Sequence, residues 1–201
     1  MDSTIYIFAT LALTFLIAGT VLLIAYLANK KRKEALQVFA MEQGFSFASD
    51  DSAAFGAQTF QSSFDLFQRG HGHKVRNSLQ GSRSGTHIAI FDYQYTTGSG
   101  KNSHTYNQTA LLLTLANAAL PQFFLRPEGF FDKIAVKLGQ AGINFDDRPE
   151  FSKKYRLTGA DEAALRALFN DAVLAFFEGI PNLCVENGGD RLLYYIRGKL
   201  V

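Results

Sequence analysis

The chain has no tryptophan and a single cysteine, Cys184, among its 201 residues. One thiol cannot make an internal disulfide, and zinc sites that take two or more cysteines from one chain are excluded on count. The absence of disulfides fits a reducing compartment. Catalytic and cofactor signatures are missing as well: there is no GxSxG elbow, no HExxH pair and no Rossmann glycine fingerprint. No cofactor is therefore expected. Apolar residues make up 47% of the chain and phenylalanine alone contributes 19, enough for a sizeable core and against large-scale disorder.

Charge is absent from one long stretch. Residues 5–28, IYIFATLALTFLIAGTVLLIAYLA, contain no ionisable acid or base other than tyrosine. At about 1.5 Å per residue they cover about 36 Å, more than the roughly 30 Å hydrocarbon core of a bilayer. A cleaved signal peptide would need a basic leader and a shorter apolar centre. Here the leader is Met1-Asp2-Ser3-Thr4 and the cations follow the run as Lys30, Lys31, Arg32 and Lys33. The pattern reads as a membrane helix with its N-terminus outside and the rest of the chain in the cytoplasm. Tyr6 and Tyr26 sit where amphipathic rings favour the interface, and Lys30 to Lys33 are placed to contact lipid headgroups. Thr10, Thr14 and Ala18 recur every four residues and form a candidate helix-packing face, although small residues are common in such spans.

The basic balance belongs to this anchor. Residues 1–33 carry four cations and Asp2, a net of +3 against +2 for the whole chain, which leaves −1 for the remainder. No nucleic-acid partner is indicated.

Residues 33–43 should continue as a helix to Gly44, and 47–64 read as a loop or short amphipathic segment. Strands are expected at 74–82 and 86–96, joined by a turn at Arg83-Ser84-Gly85, then at 104–115 and 123–126. Pro127 reads as a helix start, with Phe130, Phe131, Ile134 and Leu138 inward. A strand at 153–157, one helix over 161–178 and a hairpin of 183–186 with 191–197 complete the domain. The fold class is α+β: one N-terminal transmembrane helix (1–29), a basic juxtamembrane helix (30–45) and a cytoplasmic antiparallel-sheet domain with packed helices (46–201).

Several short motifs invite a chemical reading. Residues 96–103, TTGSGKNS, resemble the end of a phosphate-binding loop. Yet Tyr95 stands where the first glycine belongs, Asn102 replaces the magnesium-binding hydroxyl, and a strand follows instead of a helix. The stretch is a hairpin tip with Lys101 exposed. His71-Gly72-His73, with His87 and His104, could meet at a metal, but two imidazoles do not complete a site and the others lie on separate strands. Asp50-Asp51 and Asp146-Asp147 read as solvated loop acids. Phe91-Asp92-Tyr93-Gln94-Tyr95 could stack on bases, but the acidic balance favours strand packing.

The series Asn77-x-x-x-Gly81, Phe91-Asp92-Tyr93-x-Tyr95, Gln108-Thr109, Phe124-Leu125-Arg126-Pro127-Glu128 and Phe151-Ser152-x-x-Tyr155-x-Leu157-x-Gly159 resembles a group of uncharacterised bacterial single-pass membrane proteins with a cytosolic α+β domain. The resemblance implies that fold and the bacterial inner membrane as location, and it brings no catalytic residues.

Together these features lead to a non-catalytic accessory, scaffold or assembly subunit of a larger integral membrane complex. Its partners would be the bilayer and other membrane subunits, with Tyr93, Tyr95 and Lys101 as candidate contacts. The competing reading is a membrane-surface enzyme or metal sensor built on His71, His73, His87 and His104 with Asp92 or Tyr93. A third, headgroup recognition by Lys30 to Lys33, would show strong salt dependence.

Overall fold

A computed structural model describes residues 2–50, 64–116, 118–129 and 142–201, with all their side chains except those of 2–15, 18, 19, 21 and 50. The chain divides into two compact units, Met1–Gly44 and Phe45–Val201.

The first unit is one helix, α1 (Asp2–Gln43), of 42 residues and so about 63 Å long. It runs without interruption through the charge-free stretch and the basic cluster. The Thr20 hydroxyl donates to the Ile17 carbonyl at 2.8 Å, satisfying itself within the helix. Gly44 ends the helix in the left-handed region (φ 69°) with its N–H on the Met41 carbonyl, as the glycine signal predicts. Among the described residues no helix is long and apolar enough to cross a membrane, and most side chains of the 5–28 run lie outside that set.

The second unit is α+β. Its eight strands are β1 (Ser46–Asp50), β2 (His71–Arg83), β3 (Thr86–Thr97), β4 (His104–Leu115), β5 (Phe123–Pro127), β6 (Tyr155–Gly159), β7 (Leu183–Asn187) and β8 (Arg191–Ile196). They form one antiparallel sheet in the order β1-β2-β3-β4-β8-β7-β5-β6. The β2–β3 turn places Ser84 and Gly85 both at positive φ, the two-residue geometry whose twist suits a hairpin. Asn77, at φ 50°, sits in a register shift between Arg76 and Leu79, where an asparagine tolerates the bulge.

Side-chain alternation splits the core between the two faces of the sheet. On β7, Cys184 packs with one cluster and Val185 with the other; on β8, Leu193 and Tyr195 oppose Leu192 and Tyr194 in the same way. The first face is covered by the segment around a 3-10 turn, Asp65–Gln68, which seats Phe64, Leu66 and Phe67 on the central strands. The second is covered by α2 (Pro149–Lys154), α3 (Glu162–Leu168) and α4 (Asp171–Glu178). Arg148 ties the start of α2 to Glu178 at the end of α4 at 2.8 Å.

Several expectations change. Residues 47–50, read as the start of a loop or short amphipathic segment over 47–64, belong to an edge strand, β1, paired with β2 (Ser46↔Gln80). Pro127 does not open a helix but closes β5 opposite Tyr155, since its fixed φ suits extended backbone too. The Phe130, Phe131, Ile134 and Leu138 face lies outside the described residues. The strand expected from 153 starts at Tyr155, because α2 occupies 149–154. Neighbours in the sheet follow chain order only as far as β4, whose next neighbour is β8.

The expected 161–178 helix is two helices. Asp161 caps the first through Ala164 N–H at 2.9 Å, and Asn170 caps the second through Ala172 and Val173 N–H at 3.1 and 3.2 Å. Phe169 between them is buried, so the break turns both helices onto the sheet. Asn170→Ala removes the second start and should cost about 1 kcal/mol. Thermal unfolding of the 45–201 unit should then fall by about 2–4 °C, while an unchanged midpoint would deny the cap its role.

Candidate functional site

The first face carries the densest chemistry. The Asp65 Oδ2 atom accepts three N–H bonds, from Arg69 Nε (2.9 Å), Arg69 Nη2 (2.6 Å) and Arg126 Nη2 (2.9 Å). Asp65, Arg69 and Arg126 are each less than a tenth exposed. Beside them Glu186, fully buried, accepts from the Tyr195 hydroxyl at 2.7 Å and from the Leu66 N–H at 3.3 Å. Burial raises the Glu186 carboxyl above the ordinary carboxylate range, against the opposing pull of the Tyr195 bond and of Arg69 and Arg126. Burial likewise carries Tyr195 well above its usual value and pushes the Cys184 thiol up to about 12. Cys184 is thus a buried thiol held in its protonated form. Asp65, Arg69, Arg126 and Glu186 hold the 64–69 segment on the sheet, and Tyr195 holds Glu186.

Next to it runs an aromatic row. Ring centroids step from His73 to Tyr93 (6.0 Å), Tyr95 (6.0 Å), Tyr106 (5.1 Å) and His104 (4.4 Å), and the Arg197 guanidinium lies over Tyr106 at 4.2 Å. Tyr93 and Tyr95 are 3% and 0% exposed, which removes them as surface contacts. Phe91, Tyr93 and Tyr95 point inward and Asp92 and Gln94 outward, the alternation of a packed strand. Lys101 is exposed at the 98–103 tip, where Gly98 and Gly100 adopt positive φ and a single 3-10 turn (Gly100–Asn102) leads into β4. The tip is a hairpin loop with no helix behind it.

The four histidines do not converge. His73 Nδ1 meets the Tyr93 hydroxyl at 2.5 Å and His104 packs on Tyr106, while His71 lies exposed opposite Thr96. His87 sits at the other end of β3, opposite Thr114. Among the described residues no group of three His, Cys, Asp or Glu side chains is arranged to hold a metal. Of the anchor residues, Lys30, Lys31 and Lys33 are exposed, and Thr10, Thr14 and Ala18 lie outside the described side chains.

Of the motif residues behind the resemblance, Asn77, Asp92 and Thr109 meet, and the others serve separate parts of the domain. Asp92, on the outer face, accepts from Asn77 Nδ2 (3.0 Å) and the Thr109 hydroxyl (3.1 Å). Gln108, fully buried, accepts from Gly198 N–H at 3.0 Å. A Cβ on Gly81 would strike the Phe45 ring, and one on Gly159 would strike Leu165 and the Gln122 carbonyl. Ser152 bonds both the N–H and the carbonyl of Phe145, and the Tyr155 hydroxyl joins the Ile180 carbonyl to Leu183 N–H. These positions build the sheet and its covers.

A cleft of about 400 Å³ opens where β8 stops short, lined by Tyr106, Ile196, Arg197, Asn182 and 127–129. Sequence reasoning missed it, because it arises from the strand order β4-β8-β7-β5 and not from any local motif.

No family model matches the chain, and no curated protein matches its sequence. In three dimensions it is similar to the crystal structure of the mycobacterial trehalose monomycolate transport factor A, TtfA, with a TM-score of 0.54 at 12% identity over 82% of this chain and 80% of that one. At that identity the likeness is one of fold.

A buried acid whose proton affinity rises on folding favours the folded state at low pH and opposes it once deprotonated. Stability should therefore fall as pH climbs from the ordinary carboxylate range through the raised Glu186 value, and Glu186→Gln should flatten that slope in denaturant titrations at several pH values. Glu186→Leu strands the Leu66 N–H and the Tyr195 hydroxyl and should cost about 1–3 kcal/mol at any pH. Cys184 should resist maleimide at pH 7.5 until denaturant is added, as mass spectrometry would show.

Proposed function

We propose that the protein is a non-catalytic, membrane-anchored accessory or assembly subunit of a larger integral membrane complex. In this reading α1 lies in the bacterial inner membrane with its N-terminus outside, and the sheet domain is a cytoplasmic docking module. The observation that carries it is the unbroken passage of α1 from a charge-free run into Lys30, Lys31, Arg32 and Lys33. The resemblance to bacterial single-pass proteins belongs to the same proposal.

Two further features support it. Inside the sheet domain the buried Asp65, Arg69, Arg126 and Glu186 pair internally, a structural use of charge. The fold is shared with a protein named as a transport factor, which makes a membrane transport assembly the class of partner we favour.

Full-length protein should remain in the membrane pellet through alkaline carbonate and high salt, and in mild detergent it should elute well above the mass of one chain plus micelle. A protein that runs alone at monomer size overturns the reading. Replacing Lys30, Lys31, Arg32 and Lys33 by serine should randomise orientation, read by protease protection of the C-terminal domain in inside-out and right-side-out vesicles.

A further inference from the structure

Along β4 the register with β3 is continuous from Thr86↔Leu115 to Thr97↔His104. In an antiparallel pair successive residues direct their N–H and C=O to alternate sides. Thr109 N–H reaches the Lys199 carbonyl at 3.0 Å and Leu115 N–H the Asp190 carbonyl at 2.9 Å, both away from β3. The odd residues of β4 therefore face away from β3. Between those two bonds the outward groups meet β8, which pairs from Ala110↔Tyr195 to Thr114↔Arg191. Thr105 and Asn107 point the same way but lie past the end of β8, and no described backbone group bonds them on that side.

Among the described residues this length of edge is unpaired, and it does not simply face bulk water. It borders the cleft of about 400 Å³ whose far wall is formed by 127–129 and Asn182. The two inner strands β7 and β8 end early here, so β4 and β5 flank a notch in the sheet. The tail after Ile196 shows that the edge can be used: it turns at Gly198, Lys199 supplies one carbonyl to the Thr109 N–H, and the Val201 N–H donates to the Thr109 hydroxyl. Edges of this kind are commonly blunted by a proline, a bulge or an inward charge, and His104-Thr105-Tyr106-Asn107 has none of these.

We propose that Thr105 and Asn107 form a β-augmentation site that accepts an extended segment of a partner protein, with a carboxylate side chain at the residue opposite Tyr106. Backbone pairing supplies the affinity. Cross-strand neighbours share a face, so the residue opposite Tyr106 lies beside the Arg197 guanidinium that covers that ring. The inference rests on the docking role proposed above and names the partner's chemistry.

The test uses the full chain in mild detergent, with backbone amide exchange read by NMR and acetyl-Thr-Val-Glu-Val-Thr-amide as probe. At about 1 mM peptide, exchange at Thr105 and Asn107 should slow by about tenfold, equivalent to a dissociation constant on the order of 0.1 mM. A backbone N-methylated peptide should give no protection, and exchanging its glutamate for lysine should weaken binding at least about threefold. Asn107→Pro removes an outward N–H without breaking a bond to β3, so it should abolish protection at Thr105 while leaving the far-UV spectrum and the β3–β4 amides unchanged. Absent protection, or protection indifferent to N-methylation, overturns the proposal. If Asn107→Pro still co-elutes with its membrane complex, the edge site falls and the accessory role stands. A chain that elutes as a monomer yet shows peptide protection keeps the site and loses the role.

Discussion

The sheet domain depends on one carboxylate shared by two guanidiniums. Asp65 lies in a short turn with no regular structure to hold it, yet that turn must cover the inner face of five strands. Arg69 closes the turn on itself and Arg126 ties it to β5. Burying three charges is costly, and the cost is offset only because each has its partner within hydrogen-bond reach. Loss of Asp65 would take from two buried guanidiniums the carboxylate they share. Glu186 adds a second tie through the Leu66 N–H, so the turn is held by hydrogen bonds at both its start and its end.

That arrangement frees the opposite face for a different cover. Three short helices pack Phe151, Leu165, Phe169 and Phe177 against β5 to β8, a largely aromatic contact set with no buried ion pair among the described residues. One face is therefore held by directional polar bonds and the other by area and ring packing. Adjacent residues of β7 and β8 contribute to both, which makes this hairpin the shared spine of the two half-cores.

Much of this was legible in the sequence. The strands at 74–82, 86–96 and 104–115 followed from the Arg83-Ser84-Gly85 turn and from runs rich in aromatic, Thr and Leu residues, all local signals, whereas His71-Gly72-His73, which reads as a solvated loop, extends the first of them. The terminal hairpin followed from Asn187-Gly188-Gly189-Asp190. What failed was long-range or competitive. Residues 46–50 became a strand because β2 had an edge to fill, not because their composition favours extension. Asn170 interrupts an apolar period that reads as one helix, since a side chain that caps two N–H groups outweighs continuity. The pairing of β4 with β8 and not β5 left no trace in any window of sequence, and the notch went unseen with it. The aromatic stretch was placed correctly as a packed strand, yet two of its tyrosines were taken as contacts because exposure depends on the segment that covers them. The Asp65 cluster, drawn from positions 65, 69, 126 and 186, has only the i, i+4 spacing of its first pair as a local sign.

The β3–β4 hairpin separates stability from recognition along its length. Its middle is fixed by buried rings on one face and the Asn77–Asp92–Thr109 bonds on the other, so substitutions there are penalised through folding. Its tip answers to neither constraint. In a lineage that carries this scaffold, the exposed side chains of Ser99, Lys101, Asn102 and Ser103 are thus the ones free to drift and be selected for new partners while the register beneath them stays put.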